Sequence, residues 1–349
     1  MGNSPKDSLC LTSIDDTSTL WHRRLGHANM RLIQSLSSKE LVRNLPKLKF
    51  ESHFCGACNI GKQVHTSHKP KTMVSTTKCL ELLHMDLFGP LVVQSYEGNF
   101  YTLVVVDDYS RYTWTRFLKH KNKAFDYFEI LSKKIQVQKG CPIISIHTDH
   151  GREFDNKVKF RALCDANGIT HNFSDPRTPQ SNEVVEHKNQ TLQEMSRRML
   201  NEQSVPQKFW CNVVDTFTYI LNRILIRHFL EKTPYELFKG KKPSLEYIKV
   251  FSCKCFILNT KYYLTKFDPK STEGIFLGYS PNSKAYIILN KEIMKVEESL
   301  NVKFDESPPS KSPPLEDDDI LECEIIENKE KDLEIKENES LNKEIINIK

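Results

Sequence analysis

Three acidic residues stand where strands and a helix would bring carboxylates together. Asp149 follows the β-branched run 143–146, which predicts a buried strand that ends in a loop. Glu186 comes after a further 36 residues, near the start of a helical pattern that runs to about residue 200. Asp86 lies in the alternating run 82–88 and supplies a third carboxylate from upstream. Carboxylates at a strand end and at a helix start can point at the same place, so these three residues could together bind a hard cation.

A second set of residues has the types and spacing of a zinc site. His22 and His27 are separated by four residues and Cys55 and Cys58 by two, with 27 residues between the pairs. Two imidazoles about one helical turn apart and two thiolates on a tight turn match a closed tetrahedral zinc site. The alternative is a helix-capping His27 with two ordinary buried cysteines. Because so small a module cannot hold a large core, bound zinc would contribute directly to its folding.

The order of predicted elements indicates how the carboxylates would be positioned. Three consecutive strands come first, followed by alternating helices and strands, which predicts an α/β fold with a mixed sheet flanked by helices, the ribonuclease H-like plan. The predicted strands are 82–88, 101–106, 113–118, 143–149 and 169–172, and the predicted helices are 121–138, 154–166, 186–200 and 206–223. Further short strands are predicted at 250–258, 274–277 and 285–289.

These patterns divide the chain into five segments. They are a disordered leader (1–19), a small helical zinc-binding module (20–75), the α/β core (78–225), a small β-rich C-terminal region (230–305) and a disordered acidic tail (306–349). The tail is rich in Glu, Lys, Asn and Ile and has no packing signal. A helix near its end that docks on a partner remains an alternative.

Charge is distributed unevenly along the chain and favours a polyanionic partner. The net charge of +5 conceals a tail with 14 acids and 6 lysines, so residues 1–305 carry +13. That balance favours nucleic acid over a membrane, since no run approaches the roughly 18 apolar residues of a spanning helix, and no secretory signal is visible. The ten cysteines are scattered, which indicates reduced thiols and one metal site instead of a disulfide framework.

Four runs of the predicted α/β core carry a specific pattern. They are His84-Met85-Asp86-Leu87-Phe88-Gly89-Pro90, Val106-Asp107-Asp108-Tyr109-Ser110-Arg111, Thr148-Asp149-His150-Gly151-Arg152-Glu153-Phe154 and Thr178-Pro179-Gln180-Ser181-Asn182-Glu183-Val184-Val185-Glu186-His187-Lys188-Asn189. Together with the His-His-Cys-Cys segment upstream and the segments 233–238 and 276–280 downstream, these runs resemble copia-type retrotransposon Pol polyproteins over roughly residues 20–305, with a pre-integrase zinc module and a retroviral-type integrase catalytic core.

The resemblance implies an integrase that joins element DNA ends to target DNA. Asp86, Asp149 and Glu186 would form its Asp-Asp-Glu triad and hold Mg²⁺, or Mn²⁺ in its place. Lys188, Arg197 and Arg198 follow on the same helix and could contact DNA phosphates, with Lys188 the preferred candidate, although a solvated helix face is the alternative. The resemblance also implies a homo-oligomer that acts in the nucleus after a cytoplasmic particle stage.

Several positions depart from the family pattern. Glu183 stands where copia-type cores usually have a glycine, so a backbone with positive φ there would cost about 1 kcal/mol or more. Its charge would also repel the triad, so Glu183→Gly is expected to raise joining activity. His150 and Arg152 replace a usual Asn and Gly. The alternative function is therefore a catalytically inactive remnant that binds nucleic acid or a protein, and the chain could be a processed fragment or a truncated copy.

Overall fold

A computed structural model describes most of the chain between residues 17 and 307. The described residues are 17–48, 55–61, 76–148, 157–173, 183–203, 205–259 and 265–307. Residues 1–16 of the predicted leader and nearly all of the predicted acidic tail lie outside them, as do Asp149, His150 and Arg152. Residues 17–19, predicted to belong to the disordered leader, are helical instead. Within the described ranges, no helix combines the length and the apolar character needed to cross a bilayer.

The predicted helices and strands are present in the predicted order, and the structure adds several short elements that were not predicted. The described helices are α1 (residues 17–24), α2 (Met30–Ser38), α3 (Gly56–Gly61), α4 (Ala124–Lys139), α5 (Lys157–Asn167), α6 (Glu183–Gln203), α7 (Trp210–Ile224) and α8 (Pro234–Lys239). The described strands are β1 (Leu82–Phe88), β2 (Tyr101–Asp107), β3 (Thr113–Leu118), β4 (Ser145–Thr148), β5 (Thr170–Phe173), β6 (Lys254–Leu258), β7 (Ser271–Tyr279), β8 (Tyr286–Asn290), β9 (Lys295–Ser299) and β10 (Val302–Asp305).

The central domain is built on a mixed five-stranded sheet in the order β3-β2-β1-β4-β5. The neighbouring strands β1, β2 and β3 pair antiparallel, whereas β4 pairs parallel with β1 and with β5. A parallel neighbour requires a crossover connection, and α4 provides it between β3 and β4. This sheet confirms the predicted ribonuclease H-like mixed sheet. Helix α4 ends at Gly140, which adopts φ 71° as a left-handed C-cap.

Helices cover both faces of this sheet. On one face Met85, Leu103 and Val105 pack against aromatic residues of α4 and α5 such as Phe128 and Phe160. The other face contributes Val104 and Val106 to a second apolar cluster with α6 and α7. Because both faces are buried, β2 is a continuous apolar run and does not alternate. Asp86 pairs with Val104 on this second face, opposite Met85, and its carboxylate points toward α6.

The N-terminal module packs on the core through a shared apolar cluster. Ile33 and Leu36 of α2 contact Ile220 and Ile224 of α7 within it, and all four side chains are buried. Asn29 caps α2 by accepting a hydrogen bond from the Arg31 backbone N–H at 2.9 Å. The predicted small helical module is confirmed, but its hydrophobic core is completed by the central domain.

The C-terminal region forms a second, antiparallel sheet in the order β10-β6-β7-β8-β9, which confirms the predicted β-rich region. Ile275 and Leu277 of β7 join the apolar cluster of α6 and α7, so this sheet also packs on the core. Glu306, predicted to begin the disordered tail, is instead fixed: it accepts hydrogen bonds from the Arg24 guanidinium and, at 3.0 Å, from the Val250 backbone N–H. The other domain boundaries remain predictions.

Candidate functional site

The four predicted zinc ligands meet in one cluster. His22 lies on α1, His27 in the turn that follows, and Cys55 and Cys58 at the start of α3. The turn reverses sharply because Gly26 and His27 have φ angles of 62° and 63°. As a result, one donor atom from each of the four side chains lies within 4.8 Å of the others.

The separations between the donor atoms fit a tetrahedral zinc ion. His27 Nδ1 lies 3.2 Å from His22 Nε2 and 3.4 Å from Cys55 Sγ. Cys58 Sγ lies 3.3 Å from His22 Nε2 and 3.6 Å from His27 Nδ1. Zinc distances of about 2.0–2.1 Å to nitrogen and about 2.3 Å to sulfur give tetrahedron edges of about 3.3 Å (N to N) and about 3.6 Å (N to S). The residues therefore fit zinc in donor type and in geometry.

Both imidazoles are oriented by a hydrogen bond on the nitrogen away from the cluster. His22 Nδ1 donates to the Ala28 carbonyl at 2.9 Å, and His27 Nε2 donates to Glu202 Oε2 at 3.1 Å. Burial alone would lower the pKa of His27, but its hydrogen bonds to Cys55 and Glu202 raise that pKa to about 9. The hydrogen bond between the two thiols lowers the pKa of Cys55 and raises that of Cys58.

The second candidate site begins at Asp86 on β1, whose carboxylate is half-buried and held in place. Asp86 Oδ2 accepts a hydrogen bond from Asn189 Nδ2 at 2.6 Å, and Oδ1 accepts one from the Leu87 backbone N–H at 2.8 Å. An ionised carboxylate offers about four lone-pair positions, so these hydrogen bonds are compatible with metal ligation. Asn189 is buried on α6, and the contact therefore fixes α6 relative to β1.

Glu186 lies on α6 three residues before Asn189, with an exposed side chain. Residues three apart on a helix are neighbours, with about 5–6 Å between their Cβ atoms, so Glu186 stands beside the residue that binds Asp86. Asp149 lies outside the described residues. Thr148, which precedes it, pairs with Met85, which precedes Asp86. The structure thus brings the positions of Asp86 and Glu186 near each other, where α6 packs on the central strand β1.

The expected backbone strain at Glu183 is wrong. Glu183 is the first residue of α6, where the backbone is helical and needs no positive φ. An acid in the first helical turn interacts favourably with the helix dipole. The Glu183 carboxylate also lies 3.2 Å from His187 Nε2, one turn further along. The expected repulsion of the triad remains a prediction.

The three predicted DNA contacts have different environments. Arg197 is exposed on α6. Arg198 forms an ion pair with Glu194 on the same helix. Lys188 is only 9% exposed, and burial together with the nearby charges of Arg111 and Arg227 lowers its pKa to about 7. Only Arg197 thus stands on an open face where a DNA backbone could reach it without rearrangement.

Two residues at these sites had no assigned role in the sequence analysis, namely Asn189 and Glu202. Asn189 belongs to the run that carries the resemblance, and its i+3 spacing from Glu186 could have signalled a role. Glu202 contacts a residue 175 positions away, so no local pattern could have revealed it.

The sequence of this chain is similar to known protein families and to individual relatives. Family models match three consecutive parts of the chain: the GAG-pre-integrase domain matches residues 1–63, the integrase core domain 77–179, and the retroviral polymerase SH3-like domain 253–317. The retrovirus-related Pol polyprotein from transposon TNT 1-94 of Nicotiana tabacum is 32% identical over 82% of this chain. That from transposon RE2 of Arabidopsis thaliana is 31% identical over 83%. The chain belongs to the retrovirus-related Pol polyproteins of copia-type transposons.

This family membership applies to one part of a much longer type of protein. The chain covers 21% of the length of the tobacco polyprotein and 20% of that of the Arabidopsis polyprotein. Among solved structures, the HTLV-2 integrase catalytic core domain in complex with magnesium, in a trimeric form, aligns with 46% of this chain and 97% of its own. The sequence identity is 17% and the TM-score is 0.35.

Proposed function

We propose that this protein is a metal-dependent polynucleotidyl transferase, an integrase that joins element DNA ends to target DNA. One observation carries the proposal: Asp86 is hydrogen-bonded at 2.6 Å to Asn189, which lies one helical turn after Glu186. This contact supports the assignment of Asp86 and Glu186 to one metal site, where α6 crosses the central strand of the sheet.

For phosphoryl transfer the protein has to position the reacting groups and stabilise negative charge; it does not have to supply a nucleophile. In phosphoryl transfer, negative charge spreads over the nonbridging oxygens, so positioning and electrostatic stabilisation dominate. Asp86, Asp149 and Glu186 would hold Mg²⁺, or Mn²⁺ in its place, which would activate the attacking oxygen and stabilise the leaving one. Asp86 contributes a carboxylate that is fixed before substrate arrives, whereas Glu186 is exposed and can rotate toward it.

The test is a strand-transfer assay with a labelled DNA end and a target duplex. Joined product is expected with Mg²⁺ or Mn²⁺ and none with excess chelator. Absence of joining with either metal, while the folded protein still binds the DNA, would favour the inactive remnant instead.

The zinc cluster completes the proposed function as a structural element. His22, His27, Cys55 and Cys58 would bind one zinc ion and leave no open coordination position, which is typical of structural sites. The proposed partners are the element DNA ends, target DNA and further copies of this chain. Because the target would be chromosomal DNA, the proposed reaction takes place in the nucleus, after a cytoplasmic particle stage.

DNA binding is expected to be electrostatic and largely independent of sequence. Residues 1–305 carry a net charge of +13, and cations that neutralise phosphates release counterions. If six or more phosphates are neutralised, affinity for a duplex should fall about a thousandfold or more between about 50 and 200 mM salt. Fluorescence anisotropy with two unrelated duplexes measures this fall. A flat salt dependence would argue for a protein partner instead.

Arg197 is expected to contribute to DNA affinity through a phosphate contact of its own, beyond its share of the net charge. Arg197→Glu should weaken binding uniformly across sequences and reduce the slope of log affinity against log salt by about one or more, because an exposed phosphate contact is lost. Lys133→Glu on α4 is the matched control, since it makes the same charge change on an exposed residue of a different helix. Equal effects of the two variants would show that only net charge matters.

A further inference from the structure

Glu202 joins the candidate zinc site to the helix that carries Glu186. It lies near the C-terminal end of α6, and its side chain is 14% exposed. Its Oε2 atom accepts a hydrogen bond from His27 Nε2 at 3.1 Å, and its Oε1 atom accepts one from Arg23 Nε at 2.5 Å. Both carboxylate oxygens therefore bind residues of the N-terminal module.

The hydrogen bond to Glu202 fixes which nitrogen of His27 faces the cluster. His27 directs Nδ1 at His22 and the two cysteines, so Nε2 is the nitrogen on the far side. A carboxylate on the far nitrogen of a ligating histidine fixes its tautomer and ring orientation and makes it a stronger ligand. The side chain of His27 is fully buried, so water cannot replace Glu202 in this role without a rearrangement.

The turn that carries His27 is also pressed against the core. A Cβ atom at Gly26 would lie 2.9 Å from the Phe217 ring and 3.3 Å from Met199 Sδ. Helix α3, which contains Cys58 and directly follows Cys55, contacts α6 directly. The metal ligands are thus held against α6 and α7 on more than one side.

We infer that Glu202 is a positioning residue of the zinc centre, and that zinc loading thereby stabilises the docking of the N-terminal module on the catalytic helix. The inference rests on the proposed zinc site. Two domains would then contribute to the zinc site, because the N-terminal module provides the four ligands and the central domain orients one of them, His27. Linkage requires the effect to be reciprocal: docking strengthens zinc binding as much as zinc strengthens docking. Glu202 and Glu186 are 16 residues apart on one helix, about 24 Å along its axis.

The experiment measures zinc affinity of the full chain by competition with a chromophoric chelator. Glu202→Gln should weaken zinc binding about 10- to 100-fold, the usual effect of losing a carboxylate behind a ligating histidine. Glu306→Gln is the matched control. Glu306 holds Arg24 of the same module to the C-terminal sheet but contacts none of the four ligands, so its loss should change zinc affinity less than about threefold.

Glu202→Gln removes the carboxylate that pairs with the buried Arg23, and an unpaired buried guanidinium could disturb folding. The double variant Arg23→Met, Glu202→Gln removes both charges and should show the same loss of zinc affinity, with unchanged circular dichroism. If wild type binds no zinc, the proposed zinc site itself is wrong. If wild type binds zinc and Glu202→Gln binds it equally well, or if Glu306→Gln weakens binding as much, the role assigned to Glu202 is overturned.

Discussion

Glu186→Ala is expected to abolish strand transfer without weakening the fold. Glu186 is exposed near the start of α6, so its replacement removes neither core packing nor a described hydrogen bond. It does remove a proposed metal ligand. Charge stabilisation by a bound metal is worth several kcal/mol in a transition state, so the joining rate should fall about a thousandfold or more. The rate is measured in single-turnover joining assays, and the fold by thermal melting.

The control for this variant is Gln190→Ala, which removes an exposed side chain one turn further along the same helix. It should leave joining within a few-fold of wild type. Asp86→Ala should be as inactive as Glu186→Ala but also less stable, because it leaves the buried Asn189 amide without its carboxylate acceptor. Substantial joining by Glu186→Ala would rule out the proposed role of this carboxylate.

Much of the fold could be predicted because its strands and helices have clear periods. The β-branched run of β2 and the apolar stripe of α6 each fix an element type without tertiary information. Boundaries were less accurate, since the strand predicted from Ile143 begins at Ser145. The packing of both end regions on α6 and α7 could not be predicted, because it depends on side chains such as Ile220 and Leu277 whose partners are distant in sequence.

In the candidate sites, too, local sequence patterns could be interpreted whereas effects of tertiary packing could not. Ligand types and spacing were sufficient to select His22, His27, Cys55 and Cys58, because a tetrahedral zinc site imposes a narrow pattern on the sequence. The environment of Lys188 could not be predicted in this way. Position 188 falls on the side of α6 that meets the sheet, where burial decides the pKa. Sequence patterns thus select candidate ligands well, but they do not distinguish a buried lysine from one that contacts DNA.

Glu183 illustrates how a departure from a family pattern can be misjudged. Comparison with the usual glycine predicted strain, but the helix begins at Glu183 and accepts an acid there. Glu183→Gly would therefore lose a favourable charge and add backbone entropy to the unfolded chain. If a gain in joining activity comes from the removed negative charge, Glu183→Gln should match or exceed Glu183→Gly in the joining assay.

Removal of zinc is expected to unfold α3 and the turn at residues 26–28 while the rest of the chain stays folded. Helix α3 has six residues, far fewer than the roughly 12–15 that an isolated helix needs for even marginal stability. Its two cysteines would tie it to the module through the metal, and structural zinc contributes about 10–16 kcal/mol in zinc-finger peptides. Helix α2 differs, because Ile33 and Leu36 pack on α7 through an apolar cluster that contains none of the four ligands.

Hydrogen exchange of the full chain, with and without a chelator, measures this difference. Protection of α3 and the turn should be lost on chelation, protection of α2 should fall only in part, and α4 should be unchanged as the internal control. Cys58→Ser, which removes one ligand, should reproduce the chelated pattern. Equal loss of protection in α2 and α3 would mean that the apolar cluster shared with α7 itself depends on zinc. Full protection of α3 in a chain shown to be zinc-free would mean that packing against α6 is sufficient to keep α3 folded.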